Sequence, residues 1–155
     1  MNSVTSGSVR SYSQNVFSYG TLMVPEVFQS VTCAIPSSEQ AILNGYNRYS
    51  LIGRVYPAIV LEPKAKVLGK LYLGVDSSSM RALCSFEDSV YEIVKLKAQR
   101  MDKNHSIESL SFVLLEEYYE MVSVEPWSLN SFVDDHLDQY LRMCRAWRTE
   151  YDLKD

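Results

Sequence analysis

The sequence predicts an α+β fold: a small mixed, mostly antiparallel β-barrel with flanking helices and a long C-terminal helix. Three observations lead there. Six or so short apolar runs follow one another across tight turns instead of alternating strictly with helices, which disfavours a doubly wound sheet. Two further stretches carry apolar residues at helical spacing. The chain has 155 residues, 46% of them hydrophobic and 22% charged, a size and composition that suit one domain with one core.

The elements follow in order. Residues 1–14 are polar, carry five serines and read as a flexible tail ahead of one domain over residues 15–155. Asn15–Tyr19 is a short strand stopped by Gly20, and Pro25 opens a short helix through Val31, at a position where a first turn tolerates proline. Residues 39–52 read as a strand with Asn44-Gly45 as a bend or bulge. Pro57–Leu61 is a strand ended by Glu62-Pro63, and Lys66–Gly74 is another. Asp76-Ser77-Ser78-Ser79 is an N-cap cluster for a helix through Glu87. In Tyr91–Gln99, Val94, Leu96 and Ala98 face one side and Lys95 and Lys97 the other. Leu110–Leu115 is a last main strand, and Glu116–Val122 either extends it or turns. The final helix carries Val133, Leu137, Tyr140, Leu141, Cys144, Trp147 and Tyr151 on one packing stripe. Asp134 and Asp135 sit in its first turn and Arg142, Arg145 and Arg148 further on, as the helix dipole favours.

Charge and cysteine content narrow the function. A net charge of −4 provides no overall field for nucleic acid. The basic stretch Lys95, Lys97, Arg100 and Lys103 reads as a solvated strand face and loop. Cys33, Cys84 and Cys144 have no metal-ligand spacing, and their odd number without a signal peptide reads as reduced and cytoplasmic. Cys84 and Cys144 fall on apolar stripes and are expected in the core. His105 and His136 have no partner that suggests a triad or a metal site, so both are expected at the surface. No run approaches the roughly 18 apolar residues of a membrane span.

Two segments carry the candidate chemistry. On the helix after Asp76, Met80, Leu83 and Cys84 form a stripe whose next member is Glu87. A carboxyl buried there is pushed toward neutrality by desolvation, which is what a general base or acid requires. The alternative is that the helix ends at Phe86 and Glu87 turns to solvent. The second segment is Phe17-Ser18-Tyr19-Gly20-Thr21-Leu22-Met23. Its glycine permits close approach of backbone to ligand, and the turn before Pro25 can aim N–H groups at an anion. Dinucleotide, P-loop and hydrolase-elbow motifs are absent from the sequence.

These segments resemble the γ-glutamylcyclotransferase-like superfamily, and more narrowly its avirulence-induced-gene branch, known mainly from plants. Phe17–Met23 resembles the family's strand-and-loop signature. Leu43-Asn44-Gly45-Tyr46, Tyr56-Pro57-Ala58-Ile59-Val60 and Val67-Leu68-Gly69-Lys70-Leu71-Tyr72 resemble its next three strands in order. Leu83-Cys84-Ser85-Phe86-Glu87 with Tyr91 resembles its catalytic segment, and Pro126-Trp127-Ser128 with the final helix resembles the plant branch. The likeness covers roughly residues 15–150. Lys70, Cys84, Asp88 and Ile93 depart from the usual Glu, Asp, Gly and Arg.

The resemblance implies an acyltransferase that converts a γ-glutamyl amide to 5-oxoproline and a free amine, with no cofactor and no metal. Glu87 is then the general base and acid. The substrate-binding residues are Tyr19, Gly20, Thr21, Leu22, Met23 and Val24, whose N–H groups hold the α-carboxylate or the oxyanion, and Tyr91 on the pocket wall. The implied partner is a small γ-glutamyl molecule, with neither nucleic acid nor membrane. Two other readings stand beside it: a catalytically silent ligand- or protein-binding member of the same fold, and a different acyl-transfer or lyase activity on γ-glutamyl tags.

Overall fold

The structure is a computed structural model that describes residues 13–101 and 104–154. The expected tail, but for residues 13 and 14, and Lys103 lie outside the described residues. Among the described residues the strands are β1 (Ser13–Ser18), β2 (Ser38–Ser50), β3 (Pro57–Asp76), β4 (Tyr91–Arg100) and β5 (Ser106–Leu114). They close into a barrel in the order β1-β3-β2-β4-β5. Every pairing is antiparallel except β1 with β5, which meet in parallel at Val16 and Leu110. The helices are α1 (Pro25–Thr32), α2 (Ser77–Phe86), α3 (Leu129–Asp135) and α4 (Leu137–Lys154).

Alternation along β1 divides two cores. Phe17 and Tyr19 point into the barrel with Leu43, Ile59, Leu71 and Val113. Val16 points out, into a second core built with Tyr72, Phe28 of α1, Leu83 of α2 and Cys144 of α4. Gly69 lets β1 and β3 approach closely, since a Cβ there would stand 2.4 Å from the Ser18 carbonyl oxygen.

Some expectations are corrected. The runs 57–61 and 66–74 are one strand, because Pro63 does not end it. The register moves from Tyr46↔Leu61 to Asn44↔Lys66, so residues 62–65 form a bulge opposite Gly45, whose φ is +88°. The C-terminal helical pattern is two helices broken at His136, where φ is −132°. Val133, Asp134 and Asp135 therefore precede the long helix, and Phe132, not Val133, is the buried residue of α3. Cys84 is exposed, whereas Cys144 is fully buried as expected. The buried face of α2 is Ser79, Ala82 and Leu83, turned by about one residue from the expected stripe. Small side chains at 79 and 82 let α2 lie close to the core.

Other elements agree with the sequence. Asp76 caps α2 by accepting the Ser79 N–H at 2.8 Å. Glu116–Met121 is a 3₁₀ turn. Lys95 and Lys97 are exposed as expected, but Arg100 is not on a solvated face: it is half-buried in a bidentate pair with Glu39 at 2.6 and 2.7 Å. His105 and His136 are exposed. No helix among the described residues is long and apolar enough to cross a membrane.

Candidate active site

The end of β1, the end of α2 and one face of α4 meet around a pocket. Its walls include Ser18, Tyr19, Gly20, Thr21 and Leu22 from the β1 turn. Tyr56, Pro57, Glu87, Tyr91, Phe112 and Tyr140 supply most of the rest.

Glu87 reaches this pocket because α2 stops one residue before it. Helix α2 ends at Phe86, and Glu87 takes an extended conformation (φ −66°, ψ 145°) while its N–H still closes the last turn on Leu83. The helix thus ends where the alternative reading puts its end, but the side chain lines the pocket and does not turn out to solvent. Burial, then the neighbouring charge of Asp88, push the Glu87 carboxyl up to about 8, against a weaker opposing hydrogen bond from the Asp88 backbone. A carboxyl in that range can take and return a proton near neutral pH.

The β1 turn lies on the same pocket. Residues Thr21–Met23 form a 3₁₀ turn in which Met23 N–H donates to the Gly20 carbonyl and Val24 N–H to that of Thr21, at 3.0 and 3.1 Å. Met23 and Val24 are not on the pocket wall, and these bonds engage their amides. The first N–H groups of such a turn have no partner within it, which leaves the Thr21 and Leu22 amides as its donors. The turn is held from three sides. Arg48 donates to the Tyr19 carbonyl at 2.8 Å, Tyr72 donates to the Leu22 carbonyl at 2.6 Å, and Gly20 packs so tightly that a Cβ there would stand 2.8 Å from Pro57 Cδ.

The tyrosines are mostly structural at their tips. Tyr19 donates to the Phe112 carbonyl and Tyr91 to that of Pro57, each at 2.6 Å. Burial raises both phenols well above their ordinary range. Both therefore remain neutral and line the pocket with ring faces. Tyr140 accepts a hydrogen bond from Thr21 at 3.4 Å.

Ser18, Tyr56, Pro57, Phe112 and Tyr140 line the pocket without having been read as site residues. Tyr140 had a signal: a polar-tipped aromatic on an otherwise apolar helix stripe. Ser18 had none beyond adjacency to the turn, yet its hydroxyl is buried with no hydrogen-bond partner among the described residues. Among the described residues, no group of three or more His, Cys, Asp or Glu is placed to hold a metal ion.

A closed, mostly antiparallel barrel with a single pocket carboxyl facing a backbone-donor turn defines a class, the γ-glutamyl cyclotransferase fold. The sequence pattern of the family described as gamma-glutamyl cyclotransferase, AIG2-like, matches residues 16–129, and the chain belongs to that family. AIG2-like protein D of Arabidopsis thaliana is 29% identical over 149 residues, covering 96% of each chain. AIG2-like protein A of the same plant is 36% identical over 93 residues, covering 60% of this chain and 56% of its own. A solution structure of an Arabidopsis thaliana protein superposes with a TM-score of 0.67 at 27% identity, over 91% of this chain and 84% of that one. A structure described as a gamma-glutamyl cyclotransferase shares the fold with a TM-score of 0.62 at 13% identity, over 87% and 88% of the two chains.

Proposed function

We propose that the chain is a γ-glutamyl cyclotransferase that uses Glu87 as its general base and acid. The observation that carries this reading is the Glu87 carboxyl, raised to about 8 in a pocket shared with the Tyr19–Leu22 turn. The α-carboxylate of a γ-glutamyl amide sits against the N–H groups of Thr21 and Leu22. Glu87 removes a proton from the α-ammonium group. The freed nitrogen attacks the γ-carbonyl carbon, forming the lactam C–N bond, and the turn's N–H groups support the charge on oxygen. The amide C–N bond then breaks as Glu87 returns the proton to the leaving nitrogen, and Glu87 passes on the second proton that the ring nitrogen sheds to the same amine, which departs as its ammonium ion. The products are 5-oxoproline and a free amine, with atoms and charge balanced and no covalent enzyme intermediate.

The silent-barrel reading is motivated by the departures around Glu87, Asp88 above all. That motive weakens because Asp88 is not on the pocket wall and its carboxylate is engaged by Tyr56, Arg54 and the Val90 N–H. The test is incubation with γ-glutamyl amino acids, γ-glutamyl amines and glutathione, scored for 5-oxoproline. Release from at least one, lost in Glu87→Gln, supports the reading. No release from any of them favours the silent barrel.

A further inference from the structure

The pocket does not end at its mouth. Tyr56 and Tyr140, which form part of its wall, also line an open groove that runs outward between Gly53–Tyr56 and α4. The far side of the groove is His136, Gln139 and Met143. Met143 is 44% exposed, a large apolar side chain on an otherwise solvated helix face. Three polar tips on the inner side of the groove are turned elsewhere. The Tyr56 hydroxyl donates to Asp88, Arg54 Nε is 3.3 Å from the same carboxylate, and the Tyr140 hydroxyl is bonded to Thr21 inside the pocket. Toward the groove stand the Tyr56 and Tyr140 rings, Val55 and the Met143 thioether, with the His136 ring and the Gln139 amide as its polar members.

From this continuity we infer that the groove holds the amine half of the substrate, and that this half is an uncharged, apolar amine, with an aromatic ring fitting best. The inference rests on the cyclotransferase reading. With the glutamyl end against the Tyr19–Leu22 turn, the leaving nitrogen stays on the γ-carbon within reach of Glu87, and its substituent points out of the closing ring. The substituent on that nitrogen then passes Tyr56 and Tyr140 into the groove. The Asp88 carboxylate balances Arg54, so a carboxylate on the amine half gains little there. A phenyl ring gains contact with two tyrosine faces and a thioether.

The experiment compares kcat/KM for γ-glutamyl methylamide, γ-glutamyl phenethylamide and γ-glutamylphenylalanine, scored as 5-oxoproline, in the wild type and in Met143→Glu. Glutamate is a good helix former at this exposed position, and a melting curve checks that the fold survives. The expected result is a preference for phenethylamide over methylamide of about tenfold or more, the scale of a filled apolar pocket. Phenylalanine should be used less well than phenethylamide. Met143→Glu should cut the phenethylamide-to-methylamide ratio by about tenfold. Equal use of methylamide and phenethylamide overturns the inference while leaving the cyclotransferase reading intact. Preference for phenylalanine overturns it in favour of a carboxylate held by Arg54. A ratio unmoved by Met143→Glu shows that the ring sits elsewhere. No 5-oxoproline from any amide removes the cyclotransferase reading and this inference with it.

Discussion

Tyr56 donates its hydroxyl to Asp88, and that bond decides what the second carboxylate of the Glu87-Asp88 pair does. Asp88 also takes Arg54 Nε at 3.3 Å and the Val90 N–H at 3.3 Å. Burial works against its charge, but the hydrogen bonds from Tyr56 and Arg54 outweigh it and hold Asp88 below its ordinary value. Asp88 therefore stays ionised outside the pocket. Its charge is the second cause, after burial, of the raised Glu87 carboxyl. Two adjacent acids are thus driven apart in proton affinity by their surroundings.

That arrangement predicts a shift of the pH profile in Asp88→Asn. Removing the negative neighbour removes one of the two causes that raise Glu87 and leaves burial, so its pKa falls. A base must be deprotonated to act, so the acid limb of 5-oxoproline release should move to lower pH than in the wild type, whose limb should lie near 8. A limb that stays in place or moves upward would show that Asp88 does not act on Glu87 through its charge.

Stability should depend on pH through the same group. The Glu87 pKa is about 8 in the folded protein and near its reference value of 4.5 when unfolded. Between these values the folded state binds the extra proton, so the protein loses stability as pH rises from about 4.5 to about 8. The loss should be of the order of a few kcal/mol, because one pKa unit corresponds to about 1.4 kcal/mol. Urea melts of wild type and Glu87→Gln at pH 5 and 8.5 measure it. The wild type should lose more between the two pH values than the variant does, and equal losses would refute the assignment.

The barrel was legible where a local pattern carried it. Alternation in Val94, Leu96 and Ala98 set the face of β4, and the Asp76 cap set the start of α2. Pro63 and His136 misled in opposite directions. Pro63 reads as a strand end, yet a bulge opposite Gly45 absorbs it, a matter of pairing with β2 that one strand's sequence does not contain. The stripe from Val133 onward reads as one helix, yet His136 breaks it so that Phe132 can pack against Trp127. The place of Glu87 on the pocket wall was legible on a stripe argument that is itself off by about one position. What brings Glu87 inside is the helix ending at Phe86. Tyr56, Phe112 and Tyr140 come from segments far apart in sequence, and only the closed barrel assembles them.

Gly20→Ala should impair both the fold and the site. A Cβ at residue 20 would stand 2.8 Å from Pro57 Cδ and 3.0 Å from Cγ, closer than real contacts allow. Either Pro57 or the turn must move, at a cost of about 1–3 kcal/mol. Because Tyr91 is anchored on the Pro57 carbonyl, the movement reaches the opposite wall. Chemical denaturation and 5-oxoproline release should both fall, and an alanine variant with wild-type stability would show that the turn has slack.

Ser18→Ala should raise stability. The hydroxyl is buried and unpartnered among the described residues, and a buried unsatisfied polar group costs about 1–3 kcal/mol. Alanine removes the group and leaves the strand pairing of residue 18 with Lys70 unchanged. A lower melting temperature in the variant would mean that the hydroxyl has a stabilising partner.

Glu87→Gln should abolish turnover without unfolding the protein. Glutamine nearly matches glutamate in volume, and the N–H of residue 87 still closes α2 on Leu83. Packing around the pocket is therefore kept. The amide cannot take a proton from the α-ammonium group, so the chemical step should slow by about 10² or more. Binding should persist, because Thr21 and Leu22 keep their N–H groups and the bonds from Arg48 and Tyr72 still hold the turn. Above pH 8 the variant should also be more stable than the wild type, since it carries no carboxylate to desolvate. Single-turnover 5-oxoproline release, read beside melting curves of both proteins, separates the outcomes. A folded variant that turns over within a few-fold of wild type would exclude Glu87 as the base. A variant that is inactive and unfolded would instead assign Glu87 a structural role.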